Sequence, residues 1–590
     1  MIVAASQPIC VFKTKMRLSE LRDSLVISDP QLRVVTVTAA DGIRKERIFA
    51  AAASTLRHSF QVASMKYGQR IAYILNGKPT TFSEQEAAVI RFAHALSLIA
   101  KVAKGDRVAI CLRNCPEWMF AFWATVCVGG IAVAINSTLH PKEMAFCLTD
   151  SDPRVVVVDA ERATSLASFI TKSKNITWIA TADDDLCKAG SGRETLPEVD
   201  VNGGDDATIL YTSGTTGKPK GVLCTHRNYT QAMHQSIFTK KFYQKLLGLA
   251  CVSSTDFKQT KTFHQRTALH VAPLFHTMGL LSTLLFTSSG VKSIFLPKWN
   301  SLQALKLIQE HSINLMTGVP TMYNQILNHP EFLNYDISSL DGLSTGAAPA
   351  STEMLQKVTT VSRANLTNGY GLTETTSVCC RIAKPLLLNK PSSVGPPTAT
   401  VEVAILQRNQ SGEPTSFAQD FVRAVQNIGD VGEIAIRGPN VFKGYWRQME
   451  ATSRTLSKDG WFLSGDIGRL DEDGCLYILD RSKDMIIRGG ENVYAVEVEN
   501  VICKFSGISE CAVIGIPDAT LGETVCAVVI LQPNQSNFSS KSLIAFCQSQ
   551  LALYKCPVEI SVWDDKELPK NAAGKVLKGV LKNQLKHSKL

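Results

Sequence analysis

Tyr211-Thr-Ser-Gly-Thr-Thr-Gly-Lys-Pro-Lys-Gly221 is the stretch on which the reading of this chain turns. It follows the apolar run Thr208-Ile209-Leu210, so it leaves a strand. Gly214, Gly217 and Gly221 permit the backbone angles of a tight, anion-wrapping loop. Thr212, Ser213, Thr215 and Thr216 bring hydroxyl donors, and Lys218 and Lys220 bring charge suited to a polyphosphate. The spacing is not that of a Walker A loop, because the Gly-to-Lys distance is short and no Ser or Thr follows the lysine. Pro219 disfavours helix at Lys218, so the loop does not run straight into a helix N-terminus.

Outward from this loop, helical stretches alternate with short apolar runs such as Val108-Ala-Ile110, Val155-Val-Val-Val158 and Ile294-Phe-Leu296. Such alternation implies α/β layers with largely parallel strands. Met119–Ile135 carries no charge and has the length of a short membrane span, but Gly129-Gly130 breaks it. A buried helix, a glycine turn and a buried strand explain it better. The 590 residues are 45% hydrophobic and 19% charged, an ordinary globular balance. The net charge of +10 is dispersed, which suits phosphate-bearing ligands and gives no nucleic-acid footprint. The 16 cysteines show no CxxC pair and no zinc spacing, and read as small buried thiols in a reducing compartment. Met1–Arg17 lacks the basic start of a secretory signal.

The Tyr211–Gly221 segment resembles the signature loop of the adenylate-forming superfamily, which includes acyl-CoA synthetases, coumarate–CoA ligases, firefly luciferases and peptide-synthetase adenylation domains. The likeness runs from about Leu56 to Lys578, with further motifs in the family's order. It implies an α/β fold: a large multi-subdomain N-terminal domain of layered sheets and helices, with a small mobile α+β C-terminal lid. On this division residues 1–55 are an extension, 56–482 the large domain, 483–587 the lid and 588–590 a targeting tripeptide.

Asn368-Gly369-Tyr370-Gly371-Leu372-Thr373-Glu374 resembles the second core motif. There Glu374 would give Mg²⁺ a hard oxygen ligand, Thr373 would touch the α-phosphate and Tyr370 would face adenine. Gly346-Ala347-Ala348 resembles the adenine-side loop, with Ala347 where the family often has a second glycine, which would reshape the acyl pocket. Asp466 resembles the acceptor of both ribose hydroxyls, and Arg481 the arginine that reaches ribose or phosphate. Lys483 falls at the hinge, and Gly489-Gly490 at the loop lining the thiol's approach. Ala495 stands where the family usually has proline, a change that would loosen this loop. Lys575 resembles the lysine that bridges carboxylate and α-phosphate, and His276 the position beside the acyl carboxylate.

The implied reaction has two steps. A carboxylate attacks the α-phosphorus of MgATP to give acyl-AMP and pyrophosphate, and a thiol then takes the acyl group. Coenzyme A is the expected thiol, with a small carboxylic acid, fatty-acid-like or aromatic, as the other partner. A ligase loading a carrier protein and a luciferase-like oxidase share every motif. A dead binding protein would have lost Glu374, Asp466 or Lys575, and all are present. Ser588-Lys589-Leu590 matches the peroxisomal address, which makes the peroxisomal import receptor an expected partner. The texture is similar to fungal peroxisomal acyl-activating ligases, including those of secondary-metabolite clusters. The oligomeric state is left open.

Overall fold

The computed structural model describes residues 18–38, 44–172, 176–180, 192–212, 219–249, 265–346, 354–355, 357–358, 364–406, 427–481, 484–489, 491–518, 520–532, 538–564, 567–570 and 575–587. Two sheets, of seven and eight strands, form the bulk of it. In the first, Arg107–Cys111 lies between the parallel strands Ile131–Ala134 and Val155–Val158. Every residue of those two flanking strands is buried. Strands covered by helices on both faces read as unbroken apolar runs, as these do.

The uncharged stretch 119–135 is resolved as expected. Helix Pro116–Cys127 ends before Gly129, which turns the chain at φ +74, and strand Ile131–Ala134 follows. Trp118, Phe122 and Trp123 are fully buried, and a side chain such as Phe122 contributes about 1.5–3 kcal/mol by leaving water. Among the described residues no helix is long and apolar enough to cross a membrane.

The eight-stranded sheet positions the site. Thr267–His270, Leu315–Gly318, Gly342–Gly346 and Asn365–Tyr370 run parallel, and Cys380–Ala383 closes that edge antiparallel. His276, Gly318, Gly346 and Tyr370 therefore all emerge at or just beyond the carboxyl ends of parallel strands, where open α/β sheets bind ligands. A four-stranded antiparallel sheet, Glu402–Leu406, Gly432–Arg437, Phe462–Leu470 and Leu476–Arg481, stands beside them. Its last hairpin turns at Gly474, φ +73. Beyond it a five-stranded sheet built on the hairpin Ile508–Asp518 and Gly522–Leu531 packs with helix Ala495–Ile502 around its own core. The layered α/β body with a smaller α+β unit is the architecture the sequence implied.

Two readings change. The N-terminal segment has weak periodicity overall, yet Leu18, Leu21 and Leu25 fall on one face of helix Leu18–Ser28. They share a core with Phe238 and Phe242 of helix His226–Leu249. Gln231 brackets Phe49 by accepting from its N–H at 2.8 Å and donating to its carbonyl at 3.2 Å. The cysteines are not uniformly buried either: Cys503 is exposed, with its sulfur 3.4 Å from that of Cys511.

Candidate active site

Strands Asp206–Thr212 and Lys220–Thr225 pair antiparallel, with Thr212 opposite Lys220, so the signature loop is a strand–loop–strand turn. Ser213, Gly214, Thr215, Thr216, Gly217 and Lys218 lie outside the described residues. Lys220 places its ammonium 5.0 Å from the ring centre of Tyr445. Tyr445, in turn, donates its hydroxyl to Oε1 of Glu374 at 2.8 Å. A cation for phosphate, an aromatic relay and a carboxylate for metal thus form one row.

Glu374 sits on the single turn Thr373–Thr375, and its carbonyl accepts from the Phe442 N–H at 2.8 Å. Desolvation raises its pKa above the usual carboxylate value, against the opposing pull of its backbone, of Tyr445 and of Arg481. One oxygen is engaged by Tyr445, and a hard cation at the other would offset the desolvation. Among the described residues no cluster of three metal-ligating side chains exists. Mg²⁺ takes one or two carboxylates and fills its shell with water and substrate phosphates, a demand that a single carboxylate such as Glu374 can meet. The backbone around Glu374 is tightly wound: Thr376 and Ser377 hold φ of +48 and +85. A Cβ on Gly371 would stand 1.4 Å from the Ser377 carbonyl oxygen, so glycine is required there. Asn440 ties the turn down, donating to the Thr375 carbonyl at 2.9 Å and accepting from the Thr376 hydroxyl at 2.8 Å.

The ribose corner is assembled from two sheets. Asp466 pairs across strands with Arg481, whose Nε lies 3.2 Å from Oδ1. Tyr370 donates its hydroxyl to Oδ2 at 2.6 Å. Burial and the nearby Asp466 push the Tyr370 phenol up, so it stays a donor. Each carboxylate oxygen has a second lone pair, which leaves room for a vicinal diol. Asn368 and Gly369 lie on the Tyr370 strand, and Gly369 faces Gly346. A Cβ on Gly346 would come within 2.8 Å of the Gly369 carbonyl, so this pair lets two strands approach beside the nucleotide strand. Ala347 and Ala348 lie outside the described residues.

His276 caps helix Thr277–Ser288, with Nδ1 accepting from the Met278 N–H at 3.4 Å. Burial draws its pKa down to about 4, so the ring is neutral near pH 7 and carries its proton on Nε2. It can donate to a carboxylate without bringing charge.

The C-terminal unit meets the large one on the same side. Gln325, on helix Pro320–Leu327, donates to Glu567 at 3.2 Å. Glu567 leads into the turn in which Lys570 bridges to Val576, next to Lys575. Gly489 adopts φ +60, a left-handed conformation that glycine enters without a Cβ penalty. Lys483 and Gly490 lie outside the described residues, as do Ser588, Lys589 and Leu590. The expectation that Ala495 loosens its loop is corrected. Its N–H, which proline would lack, donates to Oδ2 of Asp480 at 2.5 Å and pins the helix Ala495–Ile502 to the residue before Arg481.

The structure brings Tyr370, Asp466 and Arg481 together, with Glu374 beside them through Tyr445; the sequence reading did not name Tyr445, Asn440 or Asn228. Asn228 donates to the carbonyls of Pro439 and Val441 at 2.8 and 2.9 Å, which seats the strand that carries Tyr445.

Comparison with known proteins agrees with this geometry. The AMP-binding enzyme family model matches residues 60–446, and the AMP-binding enzyme C-terminal domain matches 497–575. A long-chain-fatty-acid–CoA ligase of Bacillus subtilis is 32% identical over 570 residues, covering 89% of this chain and 93% of the relative. A feruloyl-CoA synthase of an Amycolatopsis species is 33% identical over 512 residues, covering 86% and 94%. Among solved structures, ATP-bound MatB from Rhodopseudomonas palustris superposes with a TM-score of 0.76 at 29% identity, covering 90% of this chain and 99% of that one. The Bacillus subtilis o-succinylbenzoate CoA synthetase in complex with its acyl-adenylate intermediate gives 0.73 at 29% identity, covering 90% and 97%. With both family domains matched in order and the nucleotide residues gathered at one sheet edge, the chain belongs to the AMP-binding enzyme family, as an AMP-forming acid–thiol ligase.

Proposed function

We propose that the chain is an ATP-dependent carboxylic acid–CoA ligase acting on a fatty-acid-like or aromatic acid. The observation that carries it is the row Lys220–Tyr445–Glu374 beside the corner Tyr370–Asp466–Arg481, with Tyr370 and Glu374 on one short stretch of chain, so metal and ribose groups occupy one site. Asp466 and Tyr370 orient the nucleoside, Glu374 would hold Mg²⁺, which would neutralise phosphate charge, and Lys220 adds positive charge on the far side of Tyr445. The acid's carboxylate then attacks the α-phosphorus in line, displacing pyrophosphate. His276 donates a hydrogen bond to the carboxylate, and Lys575 neutralises the charge gathering on the α-phosphate. No protein nucleophile is needed. In the second step the C-terminal unit turns about Lys483, and a thiol opens the mixed anhydride while AMP leaves.

The acid class is supported by the relatives named for long-chain fatty acids and for feruloyl-CoA. CoA as the acceptor is supported by the same names. Peroxisomal residence and a role in secondary metabolism are the finest parts of the proposal. The first is supported by Ser588-Lys589-Leu590, the second by the likeness to fungal ligases alone. The test is a panel of aliphatic and aromatic acids assayed for pyrophosphate release and thioester, with and without CoA. Pyrophosphate without a CoA thioester would remove the CoA assignment. A fluorescent fusion still reaching peroxisomes after truncation of the last three residues would remove the targeting one.

A further inference from the structure

A cavity of about 420 Å³ is lined by none of the residues assigned above to nucleotide, metal or acid. That volume falls within the range of about 300–1,000 Å³ usual for small-molecule sites. Phe238 and Phe242 of helix His226–Leu249 form one apolar side, and Trp461 and Val401 another. Leu18, Arg22 and Arg47 complete it from the N-terminal segment, which precedes residue 60, where the family match begins.

One lining residue does not read as structural. Arg381 is fixed by its backbone, whose carbonyl accepts from the Tyr243 hydroxyl at 2.8 Å. Its Nε is buried without a hydrogen-bond partner. No carboxylate among the described residues pairs with its guanidinium, and burial draws its pKa down to about 10. The residue as a whole is half-buried at the cavity wall, and a partly desolvated guanidinium without a counter-charge gains from an anion beside it. Thr398, in the same wall, also has a buried hydroxyl without a partner. The wall's acids are already spoken for: Glu402 by Arg437 at 2.7 Å and Asp473 by Lys390 at 2.6 Å. The uncompensated charge is therefore positive, with Arg381 inside and exposed Arg47 at the rim.

We propose that this cavity binds an organic carboxylate on an apolar body, its carboxylate held by Arg381 and its body lying against Phe238, Phe242 and Trp461. One planar guanidinium matches one carboxylate, whereas a polyphosphate would bring more charge than it can answer. The site adjoins the nucleotide strand, because Arg381 stands directly opposite Gly369 across the paired strands. The carboxylate can belong to a separate acid molecule or to the far end of a dicarboxylic substrate, and the experiment separates the two.

The full chain is saturated with decanoyl-sulfamoyl-adenosine, a non-hydrolysable acyl-adenylate mimic, and titrated calorimetrically with decanoate. Binding of one decanoate per chain, weakened at least ~10-fold by Arg381→Met and a few-fold by Arg47→Glu, with 1-decanol inactive, establishes a separate acid site. Binding abolished by the mimic, together with a dodecanedioate-over-decanoate preference in kcat/KM that Arg381→Met removes, places the carboxylate at the substrate's far end. No decanoate binding and an unchanged preference would overturn the inference. Without ligand, Arg381→Met should melt at or above the wild-type temperature, because it removes an unanswered charge. A variant melting well below it would mark Arg381 as a structural residue and equally overturn the site. Only the dodecanedioate preference is read from turnover; the decanoate titration and the melting comparison are not, so their outcome stands apart from that of the proposed ligase reaction.

Discussion

Asp466 and Glu374 are two carboxylates of one site in opposite conditions. Asp466 is engaged on both oxygens, by the ion pair with Arg481 on one and the hydrogen bond from Tyr370 on the other. Among the described residues Glu374 has Tyr445 alone as a side-chain hydrogen-bond donor, and desolvation pushes its pKa up. The ribose corner is thus set before ligand arrives, while the metal corner is incomplete until a cation comes. A preorganised acceptor fixes where the nucleotide sits, and an undersupplied carboxylate makes binding depend on the metal that accompanies it.

The largest effect expected lies outside both corners and calibrates them. Lys575→Ala should lower adenylation by roughly 10²–10³ yet spare thioester formation from preformed acyl-AMP. Equal survival of both half-reactions would show that the lysine does not act on the first. Glu374→Gln should reduce pyrophosphate release about 10²-fold and raise the Mg²⁺ needed for half-maximal rate. Asp466→Asn should act mainly on the KM for ATP, about 10-fold, with the Mg²⁺ requirement unmoved. If the two variants respond alike in a Mg²⁺ titration, the contrast between the corners fails.

Tyr445→Phe tests the contrast more finely. A hydrogen bond to a charged group contributes about 1.5–3 kcal/mol, so a loss of roughly 10-fold in kcat/KM is expected. The Tyr445 hydroxyl lowers the Glu374 pKa. Its removal should move the acid limb of the pH–rate profile toward neutral, because the carboxylate then takes up its proton at higher pH. An unshifted limb would separate Tyr445 from Glu374.

The smallest effect is on stability. Burial raises the Asp480 carboxyl from 3.8 to about 6. Between those values the folded protein keeps a proton that the unfolded chain releases, so this residue adds stability in acid that is lost as pH rises through about 6. Asp480→Asn keeps an acceptor for the Ala495 N–H and should flatten that slope, worth at most about 3 kcal/mol. Thermal melts from pH 4 to 8 that keep the wild-type slope would exclude Asp480 as its source.

What the sequence disclosed follows from where the chemistry is written. Tyr370 and Glu374 sit four apart in one motif, and Asp466 and Arg481 lie in recognisable strand contexts, so their grouping was legible. Tyr445 is 71 residues from the carboxylate it serves and lies in a strand of two residues, Gly444–Tyr445. No periodicity marks so short an element. Asn228 and Asn440 act through backbone carbonyls that only the fold brings near. Leu18, Leu21 and Leu25 did carry a helical spacing, but its partner face lies on a helix beginning at His226, and a lone three-leucine stripe does not say what it packs on. Arg381 was invisible because its burial is a property of the assembled wall.

The docking of that first helix also sets a schedule for biosynthesis. Asp29 meets Lys241 at 2.6 Å across 212 residues of chain. At synthesis rates of about 5–20 residues per second, the N-terminal segment waits roughly 10–40 s for the helix that will receive it. Through that interval its leucine face is available to chaperones. A substitution on the receiving face, such as Phe242→Asp, would therefore reduce yield from the ribosome more than it reduces the turnover of whatever protein does mature.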